Sequence, residues 1–281
     1  MTNILNAIYN IISNEELLLK DDFSSQNRAN NLGKALENYM KDAFANTFVI
    51  SNEKERKEQY NQSFSWLGSS NSLPDFMIKS GDAIEVKKIE NKNAELFLNS
   101  SYPKSKLYSG NITISKDCRN CEEWDVKDII YAIGHAKSNT LKYLWMVYGS
   151  IYAADYDVYE RIRSAISLGT NQISDIEFTK TNELARINNV DPLGVTNLRV
   201  RGMWSIQNPR KVFDYIYPQD NNFTFELVCI IPSSKYYSFE DEDIARIESI
   251  KKKGFNISNE KVSDPNNPAK LIDVKLITFT I

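Results

Sequence analysis

The stretch Leu73-Pro74-Asp75-Phe76-Met77-Ile78-Lys79-Ser80-Gly81-Asp82-Ala83-Ile84-Glu85-Val86-Lys87 constrains the fold more than any other part of the chain. Ser80-Gly81-Asp82 is a turn signal between two short runs of alternating apolar residues, the pattern of a β-hairpin. Side chains on a strand alternate faces, so Phe76, Ile78, Ile84 and Val86 can share one buried face. Loop length decides the rest. An odd loop, Ser80 to Asp82, pairs Lys79 with Ala83 and Asp75 with Lys87, and it gathers Asp75, Glu85 and Lys87 on the opposite face. A two-residue loop would part Asp75 from Glu85. Two carboxylates offer hard oxygen ligands suited to magnesium, which activates water and neutralises charge on a phosphoryl group. A lysine beside them can orient that water or stabilise the developing charge. The same face in open solvent would carry only a weak cross-strand salt bridge. Spacing alone does not choose between the two.

Composition narrows the field. With 281 residues, 42% of them apolar and 25% charged, this is an ordinary globular chain. We read residues 1–281 as a single domain, with a core over about 27–167 and a second half over about 168–281. No apolar run is long enough to span a membrane, and Met1 to Leu19 lacks the basic start and cleavage site of a signal peptide. Three cysteines, an odd number, fit a reducing cytoplasm. Cys118 and Cys121 form a C-x-x-C without a second pair, and Cys229 and His135 lie at unsuitable spacing, so zinc is not expected. The single histidine weakens mechanisms that need a pair. No nucleophile elbow, phosphate loop or dinucleotide fingerprint is present. A net charge of −3 argues against a bulk electrostatic grip on nucleic acid but leaves room for local basic patches.

Along the chain, Ile4, Leu5, Ile8, Ile11 and Ile12 predict a helix within residues 3–20. Leu32, Leu36, Tyr39, Met40, Ala43 and Phe44 predict a second from about Asn30 to Phe44, with Glu37 at the edge of its stripe. Glu37 can pair with Lys41 one turn on, or lean over the Asp75 site as a third carboxylate. Thr47 to Ile50 reads as a first strand, Ser51 to Gln62 as a loop or an exposed helix, and Ala94 to Leu98 as a further short segment. The loop Asn99-Ser100-Ser101-Tyr102-Pro103-Lys104 is polar and basic, and Ser101 and Lys104 are candidates to touch phosphates. Asp125 can cap a helix carrying Val126, Ile129, Ile130 and Ile133, with His135 near its end as a packing residue. Leu141 to Tyr152 reads as a buried central strand, and Asp157 to Ile166 as an amphipathic helix.

In the second half, residues 195–211 hold Arg199, Arg201, Arg210 and Lys211 and no acidic residue. Arg199 and Arg201 alternate with Leu198 and Val200, so on a strand both point the same way. Arginine can bond guanine, and asparagine or glutamine can read adenine, which makes Thr196, Asn197, Gln207 and Asn208 further candidates. A solvated edge strand is the plainer reading. Phe223 to Ile231 predicts a strand, and Phe239 to Lys253 a helix with a capping box from Ser238. Leu271 to Ile281 predicts an edge strand.

The order of elements, together with Pro74-Asp75, Glu85-Val86-Lys87 and Glu37 on the preceding helix, resembles the PD-(D/E)xK nuclease superfamily. The stretches Gly33 to Tyr39, Asn99 to Lys104, Cys118 to Trp124 and Leu198 to Trp204 together resemble, more narrowly, the NgoPII-type Type II restriction endonucleases. This resemblance implies an α/β restriction-endonuclease-like core, a mixed central sheet flanked by helices with added DNA-recognition elements. It implies that Asp75 and Glu85 bind Mg2+, that Lys87 assists the attacking water, and that Glu37 joins them. It further implies cleavage of double-stranded DNA at the palindrome GGCC, a homodimer, and a cognate DNA methyltransferase in the same system. Two other readings stay open. One is a repair or structure-specific nuclease of the same superfamily; the other is a non-catalytic DNA-binding protein with an incidental hairpin.

Overall fold

The strongest strand signal in the sequence lies at the centre of a mixed sheet. The computed structural model describes residues 1–20, 28–69, 73–98, 101–111, 114–172, 177–178, 184–220 and 222–281. Its helices are α1 (Ile4–Asn14), α2 (Arg28–Ala45), α3 (Glu53–Ser63), α4 (Lys116–Arg119), α5 (Tyr156–Asn171), α6 (Pro209–Val212), α7 (Ser233–Tyr236) and α8 (Asp241–Glu248). Its strands are β1 (Phe64–Trp66), β2 (Phe76–Ile78), β3 (Ala83–Ile89), β4 (Leu96–Phe97), β5 (Lys106–Tyr108), β6 (Val126–Lys137) and β7 (Thr140–Tyr148). Then follow β8 (Glu177–Phe178), β9 (Ala185–Asn188), β10 (Leu198–Val200), β11 (Ser205–Ile206), β12 (Glu226–Pro232), β13 (Phe255–Asp264) and β14 (Asn267–Thr280). The main sheet runs β1-β2-β3-β6-β7-β12-β14-β13, with β5 against β6. β3 is parallel to β6 and β7 is parallel to β12, while the other neighbours are antiparallel. The fold is therefore mixed α/β with helices flanking the sheet, as expected. β12 to β14 belong to the same sheet as β3, so residues beyond 168 complete the core as well as carry the basic segment.

Several elements differ from the sequence reading. Residues 126–137 are the strand β6, not a helix. Val126, Ile129, Ile130 and Ile133 fall at helical spacing by accident, because a strand buried on both faces shows no period of two. Ser138 and Asn139, both at positive φ, turn the chain from β6 into β7. Residues 47–50 are turns rather than a strand: Thr47 and Ile50 bond back to Asp42 and Thr47. α3 is an exposed helix with no buried residue. β14 lies inside the sheet and β13 takes the edge. The capping box does not form, since Ser238 Oγ donates to the carbonyl of Lys235 instead.

α1 and α2 cover one face of the sheet. Leu36 of α2 approaches Gly134 of β6 so closely that a Cβ there would sit 2.7 Å from its methyl group. That face carries Phe76, Ile84, Val86 and Ala132, and Phe76 stacks edge-on to Phe44 of α2 at 5.7 Å. Among the described residues no helix is long and apolar enough to cross a membrane.

Candidate active site

β2 and β3 form the expected hairpin in a register tighter by two residues. Phe76 faces Ile84 and Met77 faces Ala83, and Ile78 N–H bonds the carbonyl of Asp82. The loop is therefore Lys79 to Gly81 rather than Ser80 to Asp82. It keeps odd parity, so Asp75, Glu85 and Lys87 still share a face. Ser80 turns the chain at φ 51° and donates its N–H to Glu122, while Lys127 Nζ reaches the carbonyls of Gly81 and Ile78. Glu122 and Lys127 are 2.6 Å apart. Neither residue was singled out from the sequence; only the folded turn brings them together.

The face opposite Phe76 is not a solvated one. Glu85 is 2% exposed, and its Oε1 lies 2.5 Å from Lys87 Nζ. Its Oε2 is buried with no hydrogen-bond partner. Tyr131 faces Glu85 across the β3–β6 ladder and is fully buried. Asp75 is half-buried and accepts the N–H of Val86 at 2.6 Å. Its backbone is fixed as well. Trp66 Nε1 donates to the carbonyl of Pro74, and Gly68, at φ +93°, packs where a Cβ would lie 2.3 Å from the carbonyl of Asp75.

The electrostatics follow from this crowding. Burial and the neighbouring Glu85 push the Asp75 carboxyl up to about 8. Burial likewise raises Glu85, against the pull of Lys87. Burial acts to lower the Lys87 ammonium, but Glu85 and Asp75 outweigh it and hold it above its ordinary value. Lys87 is therefore a standing cation. Two clustered carboxylates, one with an orphaned oxygen, fit a divalent cation that would share them with water and phosphate oxygens. Among the described residues no three carboxylates, thiols or imidazoles gather into an all-protein metal cage.

Glu37 makes the expected pair with Lys41 and lies close enough to the hairpin face for its charge to be felt there. Its Oε1 is 2.5 Å from Lys41 Nζ, and its charge acts on Asp75, Glu85 and Lys87. Lys41 is 6% exposed and also bonds the carbonyl of Leu67. If Glu37 serves the metal site, Glu37→Gln is expected to raise the magnesium needed for half-maximal cleavage severalfold. An unchanged magnesium titration, with a stability loss of about 0.5 kcal/mol or less, would leave Glu37 as a partner of Lys41 alone.

The DNA-contact candidates divide. β10 pairs with β9 so that Arg199 lies opposite Arg186, with Ala185 and Ile187 buried on the other face. Arg186 carries no signal in the sequence, because its strand is only four residues long and shows its exposed face only once paired with β10. Like charges directly opposed on an exposed face repel. Arg201, Thr196, Asn197 and Gln207 are exposed near this strand, and Ser101 is half-buried in its loop.

Three basic or polar candidates are corrected. Asn208 is 1% exposed; its Nδ2 donates to the carbonyls of Lys92 and Ala94, and its Oδ1 accepts the N–H of Arg210. It binds its own chain, not a base. Lys104 is 4% exposed, with Nζ 3.4 Å from the centre of the Tyr102 ring, and burial lowers its ammonium to about 8. It does not reach out to a phosphate. Arg210, 2% exposed, lies 3.4 Å from buried Glu226, so the positive stretch is less basic at the surface than its sequence. Cys118, Cys121 and Cys229 are free thiols, and His135 packs on Tyr143 with Nδ1 against the carbonyl of Ile89.

Comparisons with known proteins identify the family. The chain matches the NgoPII restriction endonuclease family over residues 2–263. It is 45% identical over 278 residues, 99% of each chain, to a protein of Neisseria gonorrhoeae named Type II restriction enzyme NgoPII. No solved structure matches it. A match of that extent means that the chain belongs to the NgoPII restriction endonuclease family.

Proposed function

We propose that this chain is a magnesium-dependent Type II restriction endonuclease that hydrolyses phosphodiester bonds in double-stranded DNA at a short palindrome, GGCC. The observation that carries the reading is the face of the β2–β3 hairpin, where Asp75, Glu85 and Lys87 meet in a chain of this family. Asp75 and Glu85 would hold Mg2+, which when bound supplies charge neutralisation and an acidified water. The chain's own residues do the remainder. Glu85 fixes the Lys87 ammonium at 2.5 Å, and because Lys87 stays protonated it acts as a hydrogen-bond donor and positive charge, not as a base. It can orient a water and stabilise negative charge on the phosphoryl oxygens. The orphaned Glu85 Oε2 and Asp75 need a cation to share the face, which accounts for two acids being held together in so dry a place.

The recognition reading rests on Arg199 and Arg201, with Arg186 added by the fold. A repair nuclease would not need such a dedicated basic strand. A non-catalytic DNA-binding protein would have no use for two crowded carboxylates, which repel both each other and phosphate. The enzyme would work in the cytoplasm as a homodimer, beside a cognate methyltransferase that shields the host's own sites.

The test is a digest of a sequenced plasmid with magnesium and with EDTA, followed by mapping of the ends. Cuts confined to one palindrome are expected, and none with EDTA. Random cuts, or none with magnesium, would refute the reading. Arg199→Ala and Arg201→Ala are expected to lose about 1–3 kcal/mol of discrimination between the cognate duplex and one changed by a base pair. Equal losses on both duplexes at fixed salt would make these arginines backbone contacts.

A further inference from the structure

The turn of the β2–β3 hairpin is gripped from two sides by consecutive residues of β6. Lys127 and Asp128 follow one another on that strand, so their side chains leave it in opposite directions. On one side Lys127, 6% exposed, donates to the carbonyls of Gly81 and Ile78 and pairs with Glu122, which accepts the N–H of Ser80. On the other side Asp128 lies 3.0 Å from Lys235 of α7, and Lys235 reaches Asp82 at 2.6 Å. Tyr148 donates to the same Asp82 carboxylate at 2.7 Å. Asp82 is buried and immediately precedes β3. Glu122 is delivered by the stretch Cys118 to Trp124. Cys118 Sγ packs 3.8 Å from Met77 Sδ of β2, and Ser65 of β1 donates its hydroxyl to Glu122 at 3.0 Å. The C-x-x-C stretch thus braces β1, β2 and the turn together.

We propose that Glu122 and Lys127 are positioning residues of the metal site: they lock the register of the turn and so keep Asp75 on the face of Glu85 and Lys87. The proposal rests on the nuclease reading for the role of those carboxylates. Its physical grounds lie in the register. β2 is three residues long, and Asp75 stands just before it. The ladder between β2 and β3 pairs only Phe76 with Ile84 and Met77 with Ala83. β1 gives little guidance from the other edge, because its pairing with β2 shifts between Phe64 and Trp66. A slip of one residue would carry Asp75 to the opposite face, away from Glu85. It would also break the bond from Val86 N–H to the Asp75 carboxylate. Asp75 and Glu85 crowd one another, and their mutual repulsion favours a slip or a splaying of the strands. A buried ion pair is a poor source of stability, because desolvation offsets its attraction; its best-attested use is to specify register. Here the Lys127 ammonium is aimed at two carbonyls of the turn, and only this register presents both to it. Asp82 and Lys235 secure the β3 side in the same manner, so the strand of each carboxylate has its own anchor.

The test compares full-length Glu122→Gln and Lys127→Met with the wild type and with Val262→Ala, which leaves a small void under β13 at the far edge of the sheet. Three quantities are read: the magnesium needed for half-maximal plasmid cleavage, the KM for duplex DNA, and Mn2+ binding by the DNA-free chain, followed by electron paramagnetic resonance. Lys127→Met is expected to raise the magnesium requirement and to weaken Mn2+ binding about tenfold, and Glu122→Gln by a smaller factor, with KM unchanged. Combining the two changes removes the unpaired charge, so the unfolding midpoint is expected to recover while the magnesium requirement stays high. Val262→Ala is expected to lower the midpoint and keep the metal response of the wild type. A wild-type metal response in both single variants, or a magnesium requirement that simply follows the unfolding midpoint across the variants, would overturn the proposal. The two readings fail separately. A wild type that cuts DNA beside variants with unchanged metal binding would sink the positioning role alone. A wild type that binds Mn2+ and cuts nothing would sink the nuclease reading, and a loss of Mn2+ binding in Lys127→Met would still support the positioning role.

Discussion

Asp75→Asn and Glu85→Gln are each expected to lower cleavage by on the order of 10³–10⁴, and Lys87→Ala by about 10²–10³, with the fold retained. The isosteric amide is the right variant at Glu85, since alanine would leave a void and a half-buried ammonium without its partner. DNA binding should persist or tighten, because a charge that repels phosphate is gone, and calcium should support binding without turnover. Asp75 adds a pH signature. Its folded pKa of about 8 lies above the ordinary 3.8. In the metal-free protein, stability from this group is therefore full below pH 4 and lost as pH rises through 8. Asp75→Asn should then stabilise the metal-free protein by about 0.5–2 kcal/mol near pH 8 and hardly at all near pH 4. Protons and metal compete for the same carboxylate, so the magnesium requirement should climb as pH falls below 8. Denaturant titrations at the two pH values, and magnesium titrations across the range, check both statements. Wild-type cleavage by any of the three variants would remove that residue from the site.

The second large effect is on stability. Arg210 and Glu226 are both buried, and Trp145 Nε1 bonds Glu226 Oε1 at 2.9 Å. Arg210 lies over the Tyr143 ring at 4.9 Å. Removing either partner leaves the other charge stranded in a dry interior. Arg210→Ala or Glu226→Ala is expected to cost about 3–5 kcal/mol. The pair is imperfect, since Arg210 Nη1 and Glu226 Oε2 lack hydrogen-bond partners. The double change Arg210→Met with Glu226→Leu should therefore cost far less than the sum of the singles. Urea unfolding of the three variants decides it, and single losses under about 1 kcal/mol would show that the pair is not desolvated as described. The double variant should also keep the salt dependence of DNA binding, because Arg210 does not face solvent.

What could be read from the sequence was local. The hairpin was legible because a turn and two alternating runs fix the parity of every side chain between Asp75 and Lys87, even though the register itself came out tighter. β6 was not, because its period was erased by burial on both faces. Lys104 looked like a surface cation because its sequence neighbours are polar; the Tyr102 ring that covers it is two residues away but is oriented by Tyr159 and Trp204. The amphipathic character of α5 was plain, but periodicity says nothing about which side faces the body. Arg186 had no signal at all until β9 paired with β10.

The clasp at Asn208 has a consequence for how such an enzyme can change its target. β11 pairs with β4, Ser205 bonds Glu95, and Asn208 bonds Lys92 and Ala94, all within a few residues of the end of β3. The backbone after the basic strand is thus riveted to the backbone that follows Lys87, while Arg186, Arg199 and Arg201 are exposed on the arm that precedes the rivet and Ala185 and Ile187 are buried within it. If that arm reads the DNA, as proposed above, its lettering can change while the backbone behind it stays clasped. A chimaera that exchanges residues 184–203 with those of a relative and retains 204–211 would inherit the cutting geometry together with a foreign alphabet; moving the boundary past Asn208 would leave the arm unmoored.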